Sequence, residues 1–150
     1  MKTIISALII LAVFNISIAF AQPGSLDNSF GKGGKVTVSF APPEDVGRKA
    51  ALQPDGKIVQ TGYSYDSGIA VVRYNTNGTL DTTFDGDGKV TTIVTGYYDE
   101  GYDVAIQQDG KIVVAGVSYN NSSQSGGESD FTVVRYNNDG TLHYHYWSCR

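Results

Sequence analysis

Apolar and polar residues alternate over short distances along most of this chain, in the patterns that β-strands show. Residues 35–40 alternate strictly, which predicts a strand with one buried face. Two later segments, 57–62 and 111–116, are short and mostly apolar, as expected of strands covered on both faces. Further strands are predicted at residues 48–53, 70–74, 102–107 and 131–136. Beyond the first 21 residues no run of ten shows the 3.6-residue period of a helix, so the pattern predicts an all-β fold.

These strands belong to a unit that occurs twice. Two segments recur at a shift of 54 residues: 24–36 as 78–90 with seven of thirteen positions identical, and 51–62 as 105–116 with eight of twelve identical. A third segment, 71–80, recurs as 133–142 at a shift of 62. The second unit therefore holds eight additional residues within the polar stretch 118–130, which belongs in a surface loop.

A period of 54 residues with about four short strands is typical of a β-propeller blade or a related β-array, because one such sheet cannot bury both faces alone. We predict about two blade units, at about 24–77 and 78–139, and the start of a third at 140. The recurring sequences G-[ST]-L-D-x-[ST]-F-x-x-x-G-K-V, A-[LI]-Q-x-D-G-K-I-V and V-V-R-Y-N-x-[ND]-G-[ST]-L resemble the delta-60 repeat over residues 24–142. This resemblance implies a propeller-type fold and extracellular life, and it lends no catalytic residues.

The first 21 residues have the layout of a secretory signal peptide. Lys2 supplies the positive charge, residues 4–18 are almost unbroken apolar sequence, and small residues precede a predicted cleavage between Ala21 and Gln22. An apolar core of about 15 residues is short of the roughly 20 that a permanent membrane helix needs. We therefore expect a secreted protein, periplasmic or extracellular, without a stable membrane span.

The net charge narrows the choice of partners. The chain carries 11 Lys and Arg against 15 Asp and Glu, a net charge of −4. An acidic domain without a basic stripe argues against nucleic acid or an anionic membrane as partner.

The last eight residues, 143–150, depart from the repeat. The pattern predicts Asp at position 143, yet both histidines, the only tryptophan and the only cysteine of the chain fall in this tail. Our leading hypothesis is a truncated or frameshifted reading frame, which leaves an unpaired strand edge and favours self-association. His143, His145 and Cys149 are of the types that bind Zn²⁺ or Cu²⁺, but their place in an aberrant tail favours no function.

Two acidic residues in one turn are candidate ligands for a calcium ion. Asp85 and Asp87 alternate with glycines and offer hard oxygen ligands, but the equivalent turn 31–34 holds no carboxylate. A turn-forming role is favoured for both, and no cofactor is expected.

Three charged positions recur with the repeat: Asp27 with Asp81, Asp55 with Asp109, and Arg73 with Arg135. A catalytic group is normally needed once, whereas a structural group recurs with the architecture. We interpret these residues as turn caps and ion pairs, and we expect Asp81 and Arg73 to form a buried couple.

No motif for nucleophilic catalysis or phosphate binding is present in the repeats, which hold no histidine. We therefore expect a non-enzymatic interaction scaffold that binds a protein or glycan through blade-end loops such as 118–130. Tyrosines suited to stacking on sugar rings or on a protein partner lie near these loops: Tyr63, Tyr65, Tyr97, Tyr98, Tyr102 and Tyr119. Two alternatives stay open: a secreted glycan-acting enzyme with two carboxylates as acid and base, and a calcium-stabilised repeat array.

Overall fold

The structure is a computed structural model that describes residues 24–40, 42–65, 68–95, 98–119 and 129–143. These residues form seven β-strands and no helix. The strands are β1 (Asp45–Leu52), β2 (Ile58–Ser64), β3 (Gly68–Tyr74), β4 (Lys89–Thr92), β5 (Tyr98–Ile106), β6 (Ile112–Tyr119) and β7 (Ser129–Tyr136).

The strands form two antiparallel meanders, one for each repeat. The first sheet has the order β1-β2-β3-β4, and the second has the order β5-β6-β7. The all-β, propeller-like fold expected from the repeat is thereby confirmed. The boundary between the two sheets does not coincide with the boundary between the two sequence units. Strand β4 lies in the first segment of the second unit and yet completes the first sheet.

The recurrent Asp-Gly pairs form the β1–β2 and β5–β6 hairpin turns. The Gly56 N–H donates to the Gln53 carbonyl at 2.9 Å, and the Gly110 N–H donates to the Gln107 carbonyl at 3.0 Å. The carboxylates of Asp55 and Asp109 each accept the backbone N–H two residues later. Only the glycines take positive φ, 83° and 82°, so the aspartates serve by hydrogen bonding alone.

The core lies between the two sheets. Strand β5 packs against β1, β2 and β3 of the first sheet. The buried cluster consists of Val59, Ile69, Val71, Phe84, Val104, Ile112, Val114, Val134 and Tyr136. The buried Tyr136 hydroxyl forms a hydrogen bond in this core, since it lies 2.7 Å from the Thr92 hydroxyl of β4.

One predicted strand is wrong. Residues 35–40 make only an isolated bridge, between Gly31 and Lys35. The alternation of their side chains is that of a strand, but a strand needs a neighbour for its backbone groups, and no strand in the described part of the chain pairs with this segment. The segment is nevertheless anchored, since the Phe40 N–H donates to the Asp45 carboxylate at 2.9 Å.

Several sequence predictions lie outside the described residues. These are the signal peptide with its cleavage between Ala21 and Gln22, most of the 118–130 insertion, and the tail from residue 144 with His145 and Cys149. Within the described ranges, no helix has the length and apolar character needed to cross a membrane.

Candidate functional site

Tyrosines from both sheets meet on one surface of the molecule. The rings of Tyr63 and Tyr98 have centroids 5.4 Å apart, and those of Tyr98 and Tyr119 are 5.8 Å apart. Both pairs are tilted, at 57° and 52°, which is a favourable arrangement for aromatic quadrupoles. Tyr102 and Tyr65 are the more exposed rings, at 45% and 41%. We call these five residues the tyrosine surface.

An ion pair between the sheets lies within the tyrosine surface. Arg48 Nη2 donates to Glu100 Oε2 at 2.8 Å, and the Glu100 side chain is 8% exposed whereas that of Arg48 is 40% exposed. The guanidinium also lies 5.5 Å from the ring centroids of Tyr63 and Tyr102. The site therefore offers aromatic faces around one half-exposed cation and one largely buried carboxylate.

The charges affect the titration of their neighbours. The hydrogen bond to Glu100 and its negative charge raise the pKa of Arg48. Burial, followed by hydrogen bonds with Tyr63 and Glu100, raises the pKa of Tyr98 far above its usual value. Burial and the charge of Glu100 raise the pKa of Tyr102 as well. The phenols therefore stay protonated and act as hydrogen-bonding groups throughout the neutral range.

Matching β-bulges direct two of these side chains. The register of β1 on β2 shifts between Gly47 and Lys49, so Arg48 is the bulged residue. The register of β5 on β6 shifts between Gly101 and Asp103, so Tyr102 is the bulged residue at the equivalent repeat position. A bulge leaves one residue unpaired and redirects its side chain.

Glycines in the facing strands make these bulges possible. A Cβ on Gly62 would collide with the carbonyl oxygen of Val46, and one on Gly116 would collide with that of Glu100. The sequence analysis missed Arg48 and Glu100. The recurrent glycine that ends the predicted strands 57–62 and 111–116 was the available signal for the bulges.

The tyrosine surface lies beside the loops that the sequence proposed for binding. Tyr63 and Tyr65 flank the end of β2, and Tyr119 ends β6 directly before the insertion. Thr95 Oγ1 ties the β4–β5 connection to this end by donating to the Tyr119 carbonyl at 2.7 Å. Tyr97 lies outside the described residues.

A second polar cluster joins the two sheets elsewhere, and Arg73 is its centre. Its guanidinium is 2% exposed, and Nε donates to Asp81 Oδ2 at 2.7 Å. Nη2 donates to the Thr83 hydroxyl at 3.1 Å, and Nη1 donates to the Asn138 carbonyl at 2.5 Å. The guanidinium carbon lies 4.8 Å from the ring centroid of Phe84. The expected Arg73–Asp81 couple is thus present, and it also holds a turn of the next sheet.

Asp81 is strongly stabilised in its charged form. Burial opposes ionisation, but hydrogen bonds from Thr83 and Lys57 and the charge of Arg73 outweigh it, so the pKa of Asp81 lies well below its usual value. Lys57 Nζ lies 3.0 Å from Asp81 Oδ2. These groups are fully engaged in holding the fold, which is consistent with a structural role.

The repeat equivalents of Asp81 and Arg73, which are Asp27 in the first unit and Arg135 in the second, are not brought together. Among the described contacts the Asp27 carboxylate accepts the backbone N–H and the hydroxyl of Ser29, at 2.9 and 2.6 Å. Arg135 lies on β7 and has no acidic side chain within ion-pair distance in the described ranges.

The calcium candidates lie in the turn before β4. The Asp85 N–H donates to the Asp139 carbonyl at 2.7 Å, and Asp87 Oδ1 accepts the Lys89 N–H at 2.9 Å. Burial and the charges of Asp87 and Asp139 raise the pKa of Asp85. Among the described residues no group of three or more His, Cys, Asp and Glu is arranged to hold a metal ion. His143 Nδ1 lies 2.9 Å from Asn137 Oδ1.

A comparison with known protein families finds one matching segment for each repeat of the chain. Residues 53–84 and 107–142 match the model of a family described as a domain of unknown function (DUF5122) beta-propeller. The matched segments begin 54 residues apart and hold β2 with β3 and β6 with β7. Over these two segments the chain is similar to a β-propeller family of unknown function. No curated protein and no solved structure matches the chain. In these β-propeller repeats the Arg73 cluster belongs to the matched segments, whereas Arg48 and Tyr102 of the tyrosine surface lie outside them.

Proposed function

We propose that this chain is an exported, non-catalytic β-propeller repeat protein of the delta-60 type, and that its tyrosine surface binds a glycan. The observation that carries this proposal is the grouping of the Tyr63 ring and the half-exposed Tyr102 ring around the Arg48–Glu100 pair. Aromatic faces pack on the apolar faces of sugar rings, and a charged pair beside them supplies hydrogen bonds for hydroxyl groups.

The distribution of charged groups supports a non-catalytic role. Arg73 and Asp81 are buried and used in joining the sheets, and Asp55 and Asp109 bond within their own turns. The Glu100 carboxylate is paired with Arg48. These four acids thus serve contacts that stabilise the fold.

Titration of the purified chain with cellohexaose, xylohexaose and chitohexaose, followed by tyrosine fluorescence and calorimetry, tests the binding function. We expect one of these soluble oligosaccharides to bind. Tyr102→Ala should weaken that binding about tenfold, which corresponds to about 1.4 kcal/mol. Tyr102→Phe keeps the ring and is the matched control, so its affinity should stay close to that of the parent chain. Equal affinities for all three proteins, or no binding of any of the sugars, would contradict a glycan-binding tyrosine surface.

Export is tested separately. Expression of the whole gene in a bacterial host, followed by cell fractionation and N-terminal sequencing, should give a mature chain that starts at Gln22 outside the cytoplasm. An uncleaved chain in the cytoplasmic fraction would overturn the secretory assignment.

A further inference from the structure

The second sheet ends at an unfinished edge. Strand β7 pairs with β6, and on its other side the described residues make only the isolated bridge between Tyr136 and Leu142 and the hydrogen bond from the His143 N–H to the Arg135 carbonyl. Phe131 is 100% exposed and Val133 is 58% exposed. Their equivalents in the first sheet, Ile69 and Val71, are 0% exposed, because they belong to the core cluster between the sheets, and there β4 pairs with β3. What β7 lacks is therefore a strand of the β4 type.

An ion pair is incomplete at the same edge. Arg135 of β7 is the equivalent of Arg73, and position 143, where the repeat calls for the partner of Arg135, holds His143. Asp27 is the equivalent of Asp81 at the other end of the repeat array, and it has no arginine partner among the described residues. The described residues thus hold one half of such a couple before β1 and the other half on β7.

The N-terminal segment 24–40 makes contacts that match those of the equivalent segment 78–94, which contains β4. The Gly31 N–H donates to the Asn77 carbonyl at 2.8 Å, as the Asp85 N–H donates to the Asp139 carbonyl at 2.7 Å. The Phe40 N–H donates to Asp45 at 2.9 Å. Its equivalent, the Val94 N–H, donates to Asp99 at 2.8 Å. Residues 24–40 therefore contact the first sheet as residues 78–94, whose strand β4 pairs with the first sheet, contact the second.

We propose that β7 of one copy of this chain pairs with residues 35–38 of a second copy, and that Asp27 of the second copy completes the ion pair of Arg135. The pairing of β3 with β4 supplies the register, in which Ile69 faces Thr92 and Val72 faces Lys89. Transferred through the repeat, it places Phe131 opposite Val38, Thr132 opposite Thr37, Val133 opposite Val36 and Val134 opposite Lys35.

This pairing explains both the strand-like alternation of residues 35–40 and their lack of a sheet. The contact is heterologous, because each copy offers an edge at one end and a strand at the other, and such contacts form rings when the rotation closes. Propellers close with roughly four to eight blades, so a ring built from the two described sheets alone would hold roughly two to four copies. The inference does not depend on the tyrosine surface.

Disulfide trapping tests the register directly. Chains carrying Thr37→Cys and chains carrying Thr132→Cys, both in a Cys149→Ser background, are mixed under mild oxidation. Facing residues of antiparallel strands have Cα atoms about 4.5–5.5 Å apart, which a disulfide can span. We expect a cross-linked heterodimer from this mixture.

A shifted pair supplies the control. Thr37→Cys mixed with Ser129→Cys places the thiols three residues out of register, about 10 Å apart, and this mixture should not cross-link. Equal cross-linking in both mixtures would overturn the proposed register. Failure of the matched pair to cross-link would overturn the pairing itself, whether β7 is covered by the chain's own tail or is left free.

Charge exchange tests the completed ion pair. Asp27→Arg or Arg135→Asp alone should convert the oligomer to monomer in light scattering, and the double variant should restore it, because the exchanged charges meet again between copies. Lys49→Asp, an exposed position on β1, is the control and should leave the oligomer intact. Circular dichroism of each variant separates loss of assembly from loss of folding. A parent chain that stays monomeric, or single variants that assemble as it does, would contradict the proposal.

Discussion

At the scale of single residues, Asp81 is the side chain whose loss should cost most. Asp81→Asn keeps the size of the side chain but leaves the guanidinium of Arg73 buried without its counter-charge. Breaking one side of a buried pair costs about 3–5 kcal/mol. Urea unfolding measures this free energy. The control is Asp109→Asn at an exposed turn, where the expected cost is below about 1 kcal/mol. Similar costs for the two variants would show that the buried couple adds little.

The same carboxylate makes stability depend on pH. Because the pKa of Asp81 is lower in the folded than in the unfolded chain, the unfolded state binds more protons as the solution is acidified. The contribution of Asp81 is therefore present above the unfolded pKa of about 3.9 and is lost as pH falls below it. Urea midpoints from pH 7 to pH 3 should fall more steeply for the parent chain than for Asp81→Asn. Parallel slopes would exclude Asp81 as the source.

At the scale of elements, the bulges of β1 and β5 depend on the glycines that face them. Gly62→Ala should cost about 1–3 kcal/mol, because its methyl group meets the backbone of Val46 and no flexible group can move aside. Gly47→Ala is the matched control, since its methyl group meets the mobile amide end of Gln60. Urea unfolding of both variants gives the comparison. An equal cost would mean that the close approach at Gly62 is relieved elsewhere.

The repeat made the main elements predictable, because strand alternation and the Asp-Gly turns are local properties of the sequence. The predicted strands at 57–62 and 70–74 correspond to β2 and β3, and the Arg73–Asp81 couple followed from recurrence. Contacts between sheets were not predictable in this way. The Arg48–Glu100 pair depends on a bulge and on the packing of β5 against β1, neither of which a strand pattern encodes. Residues 35–40 failed as a strand for a related reason, because pairing requires a partner that local sequence does not supply.

At the scale of the whole molecule, the two sheets differ in what covers their last strands. The first sheet is complete and receives the segment 35–40 on its face, whereas the second sheet exposes Phe131 and Val133 at its edge. Covering that edge removes apolar surface from water and satisfies a row of backbone groups, so the assembled state should be the more stable one.

Because assembly is favoured at higher concentration, the difference in stability between the assembled and the separate chain can be measured as a dependence on concentration. A partner that binds only the folded chain stabilises it in proportion to the logarithm of the partner concentration, so the melting temperature of the parent chain should rise as the chain is concentrated. The Arg135→Asp variant should melt at one temperature throughout the same dilution series, because its ion pair with Asp27 of the next copy cannot form. Calorimetry over a hundredfold range of concentration makes the comparison. A melting temperature of the parent chain that is independent of concentration would show that the exposed edge of β7 recruits no second copy.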